Sequence, residues 1–369
     1  MFDRRLIAYI NWPILGLLFI LFAAGVLNLY SASSLRLEEG VAVTPIYKKQ
    51  LLWGAVALGG MLVCMLFDYR HLSALSWYIY VATIILLICV LWYGKTIGGS
   101  QRWLDLFFFN FQPAEAAKVS ILILGARMLS KVEGLVGWRD LLKICVAVAI
   151  PALLIIRQPD LGTGLSLILF AGGMIVYCGL RAGVLRAIVI LLPLVLPFGW
   201  LFLHDYQKER ILTFLNPESD PLGSGYHIIQ SKIAIGSGGF WGKGFLEGSQ
   251  SQLRFLPEKH TDFAFAVFGE EWGFVGAILL LVLFCALLYQ IFLISLEAKD
   301  DFGRYLCIGV FFYFFWQIVV NIGMVLGLMP VVGMPLPFIS YGGSASVVNF
   351  CLIGLVLNVS MRRFMFKRK

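Results

Sequence analysis

The sequence predicts an all-α integral membrane protein with about ten transmembrane helices and a long external loop between the seventh and the eighth. Three observations predict it. Of 369 residues, 60% are hydrophobic and 14% charged, against roughly 25% charged in an average soluble domain, and the mean hydropathy is +0.87. The hydrophobic share, about 220 residues, has room for about ten bilayer-crossing helices of ~20 residues each. Stretches such as Ile278 to Leu296 are apolar on every face, whereas a membrane β-barrel alternates apolar and polar positions over ~10-residue segments. A soluble enzyme, a disordered chain and a secreted disulfide scaffold are excluded.

Taken in order, apolar runs bounded by polar punctuation place spans at 10–30, 49–67, 74–93, 113–130, 141–157, 161–179, 183–203, 274–296, 305–328 and 344–361. The first follows Arg4 and Arg5 and precedes Ser31-Ala32-Ser33, as a signal peptide would. Its run of about twenty residues exceeds the ~7–15 of a signal h-region, so it reads as an uncleaved anchor. Ten spans return both termini to one side. Arg4, Arg5, Arg70, Arg127, Lys131, Arg139, Lys143, Arg181, Arg186, Lys299, Arg304 and the basic C-terminal tail fall on that side. The short opposite loops hold Arg36, Lys48, Lys49, Lys95, Arg102 and Arg157. The positive-inside rule makes both termini cytoplasmic, and the 205–261 loop, long enough to cross regardless of its charge, external. The chain reads as a single polytopic domain, 1–369.

The formal net charge of +8 is scattered through short inter-helix segments without an aromatic-basic module, so nucleic acid is not an expected partner. Anionic membrane lipids account for the retained cations. All seven cysteines fall in apolar spans without a CxxC pair or a nearby histidine in ligand spacing, so neither a disulfide framework nor a metal site is encoded.

A loop of more than 50 residues is uncommon unless it is functional. This one contains a turn at 216–221, an expected short helix from Tyr226 to Ile235, and two glycine-rich stretches at 236–239 and 242–244 expected to be flexible. Residues 262–271 read as a separate interfacial helix or re-entrant segment, because Glu270 and Glu271 are costly at bilayer depth unless they line a cavity. Gly269, Gly273 and Gly276 read as a close-packing helix face.

Polar residues where apolar ones belong are functional candidates in a membrane chain. Asp262 opens the short helix, where it suits an N-cap or, beside a wet apolar pocket that raises its pKa, a general base. Glu115 and Lys118 are three apart at the start of the fourth span and pair on one helix face. Asp160 stands at the start of the sixth span as an N-cap or a cavity residue. Arg102, Lys232, Arg254 and Lys259 are outward cations able to meet phosphate. The loop from Pro335 through Ser340 to Ser344 joins stiff prolines to permissive glycines and can bound a cavity.

Five ordered pieces, 216–230 (NPESDPLGSGYHIIQ), 231–244 (SKIAIGSGGFWGKG), 255–267 (FLPEKHTDFAFAV), 321–333 (NIGMVLGLMPVVG) and 335–345 (PLPFISYGGSA), resemble the SEDS family (shape, elongation, division and sporulation), its elongation members more than its division members. The resemblance spans nearly the whole chain. It implies a ten-helix peptidoglycan glycosyltransferase in the bacterial cytoplasmic membrane that polymerises lipid II on the outer face during elongation and rod-shape maintenance. It also implies a class B penicillin-binding protein and the elongation machinery as partners. By the same resemblance Asp262 is catalytic, and Arg102, Glu115, Lys118, Asp160, Lys232, Lys259 and Ser340 bind substrate. No cofactor is implied beyond a divalent cation carried on the substrate diphosphate. A lipid II flippase would also use Glu115 and Lys118, though the repeat-related broken spans of many transporters are missing. A non-catalytic scaffold for the transpeptidase would leave the outer polar cluster unexplained.

Overall fold

The computed structural model describes residues 9–33, 45–97, 100–105, 110–202, 205–220, 223–253, 255–256 and 258–363. Arg4, Arg5, Arg36, Arg254 and the tail after Arg363 lie outside them. The helices are α1 (Trp12–Ser33), α2 (Ile46–Leu66), α3 (Tyr69–Tyr93), α4 (Pro113–Leu129), α5 (Trp138–Arg157), α6 (Leu161–Cys178) and α7 (Ala182–Phe202). They are followed by α8 (Asp205–Leu215), α9 (Ser224–Gly238), the single turn α10 (Ser249–Gln252), α11 (Ala264–Leu296), α12 (Asp301–Val325) and α13 (Gly343–Arg362).

The chain is a mostly helical, multi-pass membrane protein. By length and composition, α1, α2, α3, α6, α11, α12 and α13 qualify to cross a bilayer. The other three expected spans coincide with α4, α5 and α7, which are shorter or more polar. α4 has 17 residues and carries Glu115 and Lys118. Arg139, Asp140, Lys143 and Arg157 stand on α5, and in α7 the short apolar stretch is Ala182–Leu191. Seven of the ten expected spans thus qualify by length and composition among the described residues.

The all-α expectation also needs correction. Between α3 and α4 the strands β1 (Lys95–Ile97), β2 (Ser100–Asp105) and β3 (Asn110–Phe111) form an antiparallel sheet in the order β1-β2-β3. Helix α12 and helix α13 are the most enclosed, at 67% and 72% buried over their apolar windows against 28% for α2, α3 and α11. Tyr313, Phe314, Phe338 and Phe350 join them in a fully enclosed aromatic cluster. Lipid is the natural solvent of the exposed apolar faces on the outer helices, such as Leu52, Leu62 and Val81.

The 205–261 segment is more structured than a loop. α8 was not foreseen, and α9 is longer than the expected 226–235 helix, with Gly236 and Gly238 forming its last turn. The expected break after residue 271 is present: α11 kinks at Gly273, whose φ of 63° and ψ of −162° are open essentially to glycine alone. Gly273 therefore serves the kink rather than helix packing. A Cβ there would stand 2.2 Å from the backbone nitrogen of Gly242. Glu270 and Glu271 are both buried. Glu270 accepts from Lys243 Nζ (2.7 Å) and the backbone N–H groups of Gln250 (2.8 Å) and Ser251 (3.1 Å), which pins the 243–253 segment onto α11. Glu271 accepts from the Ser31 hydroxyl on α1.

Candidate functional site

Five parts of the chain converge on one cavity of ≈ 900 Å³: strand β2, the N-terminal ends of α4 and α6, the 258–262 segment before α11, and the loop from Val332 to Ala345. α8 and α9 complete the wall with Arg210 and His227. Short contacts lock the pieces in register. Tyr341 N–H donates to the His260 carbonyl (2.8 Å), and a Cβ on Gly162 would stand 2.4 Å from the Val332 carbonyl oxygen, so the start of α6 sits directly against the 332–333 backbone. The Asn321 side chain on α12 donates to two backbone carbonyls, Asp262 (2.9 Å) and Met334 (2.7 Å). One buried amide thereby ties the Asp262 segment to the loop facing it.

Asp262 lines this cavity without capping α11. Phe263 occupies the cap position and makes no side-chain cap bond, which leaves the Asp262 carboxyl directed to the space. Gly333, at φ 76°, removes a side chain from the far side; a Cβ there would be 3.6 Å from Asp262 Oδ2. Burial and the neighbouring Glu258 push the Asp262 pKa up to about 6, with Asp160 adding and Arg210 and Arg102 opposing. A carboxylate poised there is matched to proton transfer near neutral pH.

Asp160 both caps α6, accepting from Thr163 N–H (3.2 Å), and faces the cavity, accepting from Gln112 Nε2 (3.1 Å). Arg102 is held by the carbonyls of Gln158 (3.2 Å) and Pro159 and stands 3.8 Å from Asp160. Glu115 and Lys118 form the expected pair, at 2.6 Å with both side chains buried. Glu115 reaches the lining, while Lys118 lies behind it, its ammonium 5.8 Å from the centre of the Tyr313 ring.

Three residues expected at the substrate are placed elsewhere. Lys232 is exposed on α9 with its stem over Gly327. Lys259 donates to the Ser251 carbonyl. Ser340 is buried and accepts from Leu336 N–H (2.9 Å), shaping the loop from within. Sequence reasoning missed Arg210, His227 and Glu258. His227 stacks on Phe263, with centroids 5.8 Å apart and planes at 14°, and burial lowers its pKa. Arg210 donates to the Val331 carbonyl (3.2 Å). Its signal is an arginine within the amphipathic stretch that forms α8. Among the described residues no three His, Cys, Asp or Glu side chains converge as metal ligands.

A multi-pass membrane protein thus carries a cavity lined by a carboxyl of raised pKa and two arginines. Residues 12–364 match the FTSW_RODA_SPOVE family, described as cell cycle protein, and the chain belongs to that family. It is 42% identical over 318 residues to the peptidoglycan glycosyltransferase MrdB of Escherichia coli K12, covering 85% of this chain and 86% of that one. A chain from a peptidoglycan synthase complex, described as coordinating polymerization and crosslinking, superposes with a TM-score of 0.82 at 32% identity, covering 97% of this chain and 99% of that one. The Thermus thermophilus rod shape determining protein RodA superposes with a TM-score of 0.71 at 29% identity, covering 97% and 98%.

Proposed function

We propose that this chain is a peptidoglycan glycosyltransferase that polymerises lipid II into glycan strands during cell-wall elongation. The observation that carries the reading is Asp262: its carboxyl, with the pKa raised to about 6, faces a cavity of ≈ 900 Å³ that Arg102 and Arg210 also line. The acceptor GlcNAc 4-hydroxyl gives its proton to Asp262 as its oxygen attacks the anomeric carbon of the donor MurNAc. The bond from that carbon to the diphosphate oxygen breaks, undecaprenyl diphosphate leaves, and the configuration inverts. Negative charge grows on the leaving diphosphate, which is where fixed cations lower a barrier most. Arg102 and Arg210 are the lining groups able to supply it. Glu115, Asp160, Glu258 and Asp262 outnumber those arginines, so a diphosphate entering with its own divalent cation offsets the local charge better than one entering bare. Glu115 and Asp160 are polar walls for the sugar hydroxyls, and Lys118 holds Glu115.

In this reading the chain sits in the bacterial cytoplasmic membrane with both termini inside, the 205–261 segment and the cavity outside. A class B penicillin-binding protein cross-links the product strand. The test is lipid II polymerisation by the purified chain together with that partner. Glycan strands insensitive to inhibitors of the partner's own active site support the proposal. Transbilayer movement of lipid II without strands identifies a flippase instead, and neither product identifies a scaffold.

A further inference from the structure

A second polar cavity, ≈ 250 Å³, opens at the other end of the same helices, lined by Trp77, Arg127, Lys131, Asp140 and Lys143. Its position follows from the helix directions. Glu115 near the start of α4 reaches the first cavity, and Arg127 stands twelve residues further along that helix, about 18 Å away at 1.5 Å per residue. α3 and α5 agree: Trp77 and Lys143 lie near their beginnings, whereas their ends lead to β1 and to Asp160. Three cations against one acid leave this small cavity strongly positive. The Arg127 guanidinium is fixed at its wall by Ser76 Oγ (2.9 Å) and the Ala74 carbonyl (3.4 Å).

The cavity does not end in a polar floor. Met128, Val132 and Ile144 line it beside the cations. Positive charge retained by topology alone would be spread over the loops; here it converges on one concave mouth with that apolar floor. Trp77, 46% exposed, is the amphipathic ring that favours the headgroup level at such a rim.

We propose that this cavity binds the anionic headgroup of a membrane phospholipid from the leaflet opposite the catalytic cavity, its phosphate between Arg127, Lys131 and Lys143 and its acyl chains left in the bilayer. Basic pockets between transmembrane helices recognise phosphate-bearing lipids in this way. The space suits a phosphoglycerol head and is too small for a disaccharide-peptide. The bound lipid bridges α3, α4 and α5, and α4 carries Glu115 and Lys118.

The experiment is native mass spectrometry of the purified full chain released from bilayers of defined phosphatidylglycerol, cardiolipin and phosphatidylcholine content. Wild type retains the two anionic lipids over phosphatidylcholine. Lys131→Gln/Lys143→Gln changes two exposed side chains and lowers their retention about 25-fold, at about fivefold per cation. Lys131→Arg/Lys143→Arg restores it. Arg181→Gln/Arg186→Gln removes equal charge from the same end outside the cavity, so it controls for the surface field, and its loss of retention is clearly smaller than that of the lysine pair. Equal losses in the two charge-removing variants, or equal retention of phosphatidylcholine by wild type, would overturn the site. Displacement of phosphatidylglycerol by equimolar undecaprenyl phosphate would assign the cavity to a polyprenyl phosphate and overturn the phospholipid assignment.

Discussion

Replacing Lys118 by methionine keeps the stem that packs beside Tyr313 and removes the charge that holds Glu115. Both groups are enclosed, at 2% and 4% exposed, and Nζ lies 2.6 Å from Oε1. The second carboxylate oxygen of Glu115 has no hydrogen-bond partner, so the ammonium carries most of its compensation. Breaking such a pair leaves a buried charge uncompensated and costs about 3–5 kcal/mol, whereas replacing both members by neutral groups of similar volume is nearly free. Lys118→Met and Glu115→Gln should each fall in that range, and Lys118→Met/Glu115→Gln should cost less than either. The coupling then exceeds about 2 kcal/mol in the double-mutant cycle. The assay is chemical denaturation of the purified protein at fixed detergent concentration, followed by tryptophan fluorescence. Additivity within about 0.5 kcal/mol would refute the reasoning.

The raised pKa of Asp262 makes two pH predictions. If its carboxylate takes a proton, the polymerisation rate rises with pH up to about 6 and is flat above it; a rate constant from pH 5 to 8 would exclude that group as the base. Because folding favours the protonated carboxyl, its stabilising contribution is present at low pH and lost as pH rises through about 6. Relative to Asp262→Asn, wild type should lose up to about 3 kcal/mol between pH 4 and 7, measured by denaturation at each pH. Asn321→Leu leaves the carbonyls of Asp262 and Met334 without their donor. It should destabilise by about 2–4 kcal/mol and lower kcat more than it raises KM, while an unchanged kcat would remove Asn321 from the support of Asp262. Gly273→Ala combines a disfavoured backbone with a backbone clash and should cost about 3 kcal/mol or more, read as a lower denaturation midpoint; a wild-type midpoint would mean the kink is dispensable.

Much of the fold was legible because the bilayer is an exacting solvent. Long apolar runs must be helices, and each of the ten expected spans coincides with a helix. What the pattern could not convey was which helices are long and apolar enough to cross, since α4 pairs Glu115 with Lys118 and anchors Arg127 on Ser76 of α3, while α5 carries its charges near its two ends. The 94–112 sheet and α8 were missed because short polar segments carry no strong period, although β2 positions Arg102 and α8 positions Arg210. Within the site, Asp262, Glu115, Asp160 and Arg102 stood out as polar residues at span ends, and the fold brings all four to one cavity. Lys232, Lys259 and Ser340 had equal claims by composition; their placement depends on how α9, the 251–259 segment and the 335–343 loop turn, which sequence spacing does not encode. Glu270 shows the same limit, a buried acid whose role is to hold a loop.

The central claim is that the Asp262 carboxylate accepts the proton in glycan polymerisation, and the most direct measurement compares purified wild type and Asp262→Asn, each with the same transpeptidase partner, in lipid II polymerisation scored by strand length and initial rate. The substitution is nearly isosteric, Asp262 makes no cap bond for asparagine to lose, and Asn321 still holds the same backbone carbonyl. Insertion and partner association should therefore persist while the rate falls by at least ~10²–10⁴-fold. Strands of wild-type length and rate from Asp262→Asn would contradict the account.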